Sequence, residues 1–169
     1  MMNIARILTL LSLFISTITQ SDILINLEAT LVRPACVITN ENGDNELYIN
    51  FSPVPVDRLT TEIKTFGILI KQCDLSKNLQ IYLSPKEGST FNLDNETVLE
   101  TSITGLGIRF SEENKSTAIN LLTWERIYPQ INGDTGRISL QSQLVTNQVP
   151  EVLEPGPFRA ALSVMIDYL

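Results

Sequence analysis

The chain is predicted to be all-β, a sandwich or barrel of short strands, and three observations carry the prediction. Apolar and polar residues alternate with period two in segment after segment. Turn formers such as Asn42-Gly43-Asp44, Pro53, Pro55, Pro85 with Gly88, Asn132-Gly133-Asp134 and Pro155-Gly156-Pro157 separate these segments. No stretch keeps helical spacing over three turns with caps at its ends.

The first element is a leader. Residues 1–21 read "MMNIARILTLLSLFISTITQS", with one cation, Arg6, ahead of an apolar block from Ile7 to Ile15 and a polar Ser/Thr/Gln run. That is the layout of a secretory signal peptide. Cleavage is expected after Ser21, with Thr19 as the other small flanking residue; a cut after Thr19 is the alternative. The apolar block falls short of the roughly 20 residues that span a bilayer, and no later run is longer, so no membrane span is expected.

Next comes "SDILINLEATLVRPAC" at 21–36. Ile23, Ile25, Leu27, Ala29 and Leu31 fall on one side of an extended chain, and Leu24, Asn26, Glu28, Thr30 and Val32 on the other. Residues 22–34 form a one-sided apolar strand, and residues 35–169 the domain that follows.

Within that domain each segment has a readable inward face. "ELYINF" places Leu47, Ile49 and Phe51 together, "NLQIYLS" Leu79, Ile81 and Leu83, and "GLGIRFS" Leu106, Ile108 and Phe110 with Arg109 opposed. "RISLQSQLVTN" sets Ile138, Leu140 and Leu144 against Arg137, Ser139, Gln141 and Gln143. "TFGILIKQC" is apolar on both faces, which suits a central strand. "STAINLLTWERIYPQ" is ambiguous, and Trp124 within it is expected to anchor the core. The last segment, "FRAALSVMIDYL", aligns Phe158, Ala160, Leu162, Val164, Ile166 and Tyr168 in one row and runs to Leu169. An apolar strand ending so abruptly leaves a free edge that needs a partner.

Composition narrows function. Without residues 1–21, the 12 basic residues lose Arg6 while the 19 acidic ones remain, so the balance moves from −7 to −8. Such a chain has no basic cluster to neutralise phosphates, so neither nucleic acid nor an anionic membrane is an expected partner. Two cysteines, Cys36 and Cys73, in an exported domain read as a disulfide. A metal site would need three or four ligands, and there is no histidine to supplement two thiols; a redox pair would more often be CxxC.

Catalytic chemistry finds little footing. The usual general base is missing with histidine. Glu112 and Glu113 in "SEENKS" read as a solvated turn, Gly105-Leu106-Gly107 is too short for a dinucleotide fingerprint, and Asn132-Gly133-Asp134 lacks the spaced carboxylates of a calcium loop. Asn95-Glu96-Thr97 and Asn114-Lys115-Ser116 match the glycosylation sequon, which carries meaning mainly in eukaryotic secretion. No enzymatic activity, cofactor or metal is expected.

The extension before Pro34-x-Cys36, the "FGI…C" and "LGIRF" segments, and the ending "PGPFRAALSVMIDYL" together resemble the pilin subunits of the chaperone–usher pili of Gram-negative bacteria. Among these the chain is most similar to the small F-type tip-adaptor subunit of P pili. The resemblance implies an immunoglobulin-like sandwich lacking its last strand, with a groove beside the strand from Phe158 to Tyr168. A periplasmic chaperone would fill that groove first, and the extension of the next subunit would replace it in the fibre. By that likeness Ile23, Ile25, Leu27, Ala29 and Leu31 match the donor-strand positions. Ala29 departs from the glycine usual there, adding a methyl at a close-packed point. Tyr168 matches the penultimate aromatic, the Leu169 carboxylate would meet basic anchor residues of the chaperone, and Cys36 and Cys73 match the pair joining the domain's first two strands.

The implied role is a minor fimbrial subunit supporting adhesion, exported through the periplasm to the cell surface. Its partners would be the chaperone, an outer-membrane usher and neighbouring pilins including the tip adhesin. An adhesin would carry a further receptor-binding domain, for which the 148 residues after the leader leave no room. A shaft pilin or a terminator subunit is the nearest alternative, although shaft subunits lean on Ala, Gly and Thr where this chain leans on Leu, Ile, Asn and Glu. A free-standing secreted β-sandwich that binds a ligand on its own surface is the alternative of another class.

Overall fold

The computed structural model describes residues 36–169 together with Glu28; the leader and the donor-strand residues Ile23, Ile25, Leu27, Ala29 and Leu31 lie outside them. The described chain is a sandwich of two antiparallel sheets with two short 3-10 turns.

The larger sheet holds seven strands: β1 (Val37–Thr39), β2 (Ile63–Lys71), β4 (Thr90–Leu93), β5 (Glu96–Glu100), β6 (Leu106–Glu112), β8 (Gln130–Asn132) and β9 (Thr135–Thr146). Their spatial order is β1-β2-β9-β6-β5-β4, with β8 folding back on β9. The smaller sheet has the order β10-β3-β7, from β3 (Leu79–Glu87), β7 (Trp124–Ile127) and β10 (Ala161–Tyr168). The two-faced apolar segment becomes β2, seated between β1 and β9 as its pattern requires.

Alternation delivers the core. Ile68, Ile70, Ile108, Phe110, Leu140 and Leu144 of the larger sheet pack in one cluster with Leu79, Ile81, Leu83, Ile127 and Ile166 of the smaller. Fully removing a Leu or Ile side chain from water contributes about 1.5–3 kcal/mol, so these two facing rows dominate the folding energy. Ser142, on the inward face of β9, is the exception; its hydroxyl donates to the Lys64 carbonyl at 3.3 Å. Across the outer face of the larger sheet, Arg109 grips Glu96, with Nη2 2.8 Å from Oε1, and tethers β6 to β5.

Cys36 and Cys73 form a disulfide whose Cα atoms are 4.9 Å apart. It joins the residue before β1 to the turn after β2, as their antiparallel pairing of Val37 with Lys71 demands.

Three sequence expectations need correction. "ELYINF" forms no strand: Leu47–Phe51 pairs with none among the described residues. Its alternation survives as half-buried Ile49 and Phe51 beside exposed Tyr48 and Asn50, while Pro53 and Pro55 deny the following chain ladder donors. The last strand starts at Ala161 rather than Phe158, because the register shifts between Ala161 and Leu162 and Arg159 bonds away to Ser102, their backbones joined at 2.9 Å. Trp124 is not a core anchor. It is 41% exposed on the outer face of the smaller sheet, because its neighbour in register, Tyr82, also points outward.

Candidate functional site

The groove is built by what the sandwich leaves unpaired. β10 pairs with β3 along one edge and with no strand along the other among the described residues. Beyond that free edge runs a trough of about 1140 Å³.

Its floor comes from both sheets: Leu83 of β3, and Leu99, Leu106, Ile108, Leu140 and Leu144 of the larger sheet. One wall is the β10 side, where Phe158, Ala160, Leu162 and Val164 line the trough. The other is the unpaired segment carrying Leu47, Ile49 and Phe51. The walls meet at one end, where the Phe51 and Phe158 rings lie 6.1 Å apart between centroids. Its charged lining residues are Asp44, Glu46, Lys86, Glu87, Glu154 and Arg159. The Tyr48 hydroxyl donates a hydrogen bond to the Glu46 carboxylate at 3.1 Å, and this contact pushes the Tyr48 pKa up from its ordinary value.

The residues singled out at the end of the sequence divide into two groups. Phe158, Ala160, Leu162 and Val164 border the groove. Ile166 is buried in the core, and Tyr168 packs against that core while its hydroxyl is tied to Asp74. Leu169 is exposed, and its amide donates to the Asn78 carbonyl at 2.9 Å. The donor-strand residues lie outside the described chain, so their relation to the groove stays an expectation.

Sequence reasoning missed the second wall. Leu47, Ile49 and Phe51 look like any strand face, and the signal that sets them apart is the Pro53/Pro55 pair ending the segment. It also missed that buried core residues such as Leu99 and Leu144 lie directly beneath the trough, so that one row of side chains serves both the core and the groove.

An apolar trough flanked by a strand edge that pairs with no strand among the described residues can do one thing well. It can accept an extended segment whose backbone pairs with β10 and whose alternate side chains descend onto the floor, the strand-addition mode of recognition. Among the described residues no cluster of acidic, cysteine or histidine side chains could hold a metal ion, and no helix is long and apolar enough to cross a membrane.

Comparison with known proteins agrees with this architecture. The family described as fimbrial protein matches residues 25–169. Among solved structures, the P pilus rod subunit PapA superposes with a TM-score of 0.57 at 14% identity, covering 80% of this chain and 100% of PapA. The P pilus adaptor subunit PapF gives 0.56 at 22% identity, with 82% and 98% covered. A chaperone–usher pilus described in connection with rod uncoiling gives 0.53 at 12% identity, with 90% and 99% covered. At these identities the matches speak for a shared fold. A sequence search of curated proteins found no match.

Proposed function

The chain belongs to the fimbrial protein family, and from that premise we propose that it is a minor pilus subunit acting as the tip adaptor between an adhesin and the fibre. The single observation that carries the reading is the edge of β10 that pairs with no strand among the described residues, beside an apolar groove. An exposed edge of this kind invites indiscriminate pairing unless a dedicated partner covers it.

In this reading residues 1–21 direct export and are removed. The groove is covered in the periplasm by a chaperone strand and at the usher by the extension of the subunit that follows. Residues 22–34 in turn complete the groove of the subunit ahead, with Ile23, Ile25, Leu27, Ala29 and Leu31 facing its floor. The chain is then a structural component of the cell surface rather than a catalyst.

The adaptor and shaft roles differ in copy number. Quantitative mass spectrometry of sheared fibres is expected to count this chain in the same number as the adhesin. A large excess over the adhesin would assign it to the shaft instead.

A further inference from the structure

The outer face of the smaller sheet carries a second feature, distinct from the groove. Antiparallel register sets Met165, Tyr82 and Trp124 side by side in one row across β10, β3 and β7, and Asp167, Gln80 and Arg126 in the next. The Tyr82 and Trp124 rings pack 5.1 Å apart, and Met165 beside them is 45% exposed. Just before β7, Leu122 holds a left-handed backbone (φ 61°) with its side chain exposed, a strained arrangement for leucine. Met, Tyr, Trp and Arg are the residue types that interfaces concentrate.

The charges identify the occupant. Arg126 and Asp167 stand in the same row on opposite margins of the sheet. Neither makes an ion pair among the described residues. Arg126 contacts Asn78 and lies over the Tyr128 ring, and one Asp167 oxygen accepts the Tyr168 amide.

Consider a two-fold axis in the contact plane, parallel to β3. It lays β10 of one copy over β7 of the other at the same height along the strands. Asp167 then faces the second copy's Arg126, and Arg126 the second copy's Asp167. Met165 meets Trp124 twice, and the two Tyr82 rings flank the axis. Every contact is reciprocated, as an isologous interface requires, and sheets pack face to face with their strands nearly aligned.

We propose that this face pairs with the same face of a second copy of the chain, through two Asp167–Arg126 pairs around a Met165/Tyr82/Trp124 centre. Three strands spaced about 4.8 Å and five residues tall offer a contact of roughly 250 Å² in projection. That is well below the ~800 Å² per partner of a standard stable interface. The pairing is therefore transient, and it gains weight where copies are held close enough to raise their effective concentration.

Sedimentation velocity of residues 22–169 with the groove filled by excess donor-strand peptide, from low micromolar to about 1 mM, tests it. Reversible dimerisation is expected with a dissociation constant on the order of 100 μM. Arg126→Asp or Asp167→Arg alone should weaken it more than about tenfold by setting like charges opposite one another. The double exchange should restore it to within about threefold. Trp124 is the sole tryptophan, so its emission should shift to the blue with concentration in the native chain and the double variant, and not in either single one. Met165→Lys should abolish both signals without touching either charge. Absence of dimer, association unchanged in the single variants, or failure of the double variant to recover would each overturn the proposal. Association through the groove would show itself as the second of these outcomes.

Discussion

The hydroxyl of Tyr168 accepts a hydrogen bond from the Asp74 amide at 2.8 Å. Asp74 directly follows Cys73, so this contact pins the end of β10 to the turn that the disulfide also holds. The Tyr168 carbonyl accepts a further bond from the Gln80 side-chain Nε2 at 3.1 Å. The strand that borders the groove is thus anchored at its far end, while along Leu162 and Val164 no strand among the described residues pairs with its other edge. Tyr168→Phe keeps the ring packing and removes the acceptor. It is expected to lower stability by about 1 kcal/mol, read from the denaturant midpoint, with the far-UV spectrum unchanged.

The disulfide closes a sequence separation of 37 residues. Constraining a loop of that length in the unfolded chain stabilises the fold by about 4 kcal/mol on the chain-entropy estimate. Replacing Cys36 and Cys73 by serine is expected to lower the unfolding midpoint accordingly. Thiol titration of the unreduced native chain, folded or denatured, should find no free sulfhydryl.

The Glu96–Arg109 pair gives a pH signature. Its hydrogen bonds to Arg109 hold the Glu96 carboxyl below its ordinary range despite some loss of hydration, and they raise the guanidinium further. A carboxylate with a depressed folded pKa stabilises above the unfolded value, about 4.3, and loses that contribution as pH falls through the lower folded one. Glu96→Gln is expected to cost about 1–2 kcal/mol at pH 7, since both side chains keep some contact with water. The gap between the two proteins should narrow as pH falls below the unfolded value and through the lower folded one in denaturant titrations.

Strand positions are readable in this sequence wherever one face of a segment meets the core. Leu79, Ile81 and Leu83, or Leu106, Ile108 and Phe110, alternate because the opposite faces meet water or the other side of the sheet. The same alternation misleads at Leu47–Phe51. There the apolar row faces a trough instead of a sheet neighbour, and local pattern cannot distinguish a missing strand from a present one. Trp124 misleads for a different reason: size and hydrophobicity argue burial, but register with outward Tyr82 decides. The groove itself is a relation between distant segments, with Phe51 meeting Phe158. The end patterns suggested such a groove only through resemblance to a family.

The donor role of residues 22–34 is tested in the fibre. Leu27→Asp places a carboxylate where an apolar floor is expected, and burying it unpaired would cost several kcal/mol. The variant should bind the chaperone normally and be missing from sheared fibres by immunoblot. Normal incorporation would remove Leu27 from the donor face.

The central claim is that the domain is incomplete until a strand enters its groove. Its most direct test is calorimetry of residues 35–169 with and without a synthetic donor-strand peptide of alternating apolar and polar residues. The peptide should bind, and it should convert an aggregating or weakly melting domain into one with a cooperative transition at least about 10 °C higher. A domain that stays soluble alone and melts cooperatively at the same temperature with or without peptide would contradict the account.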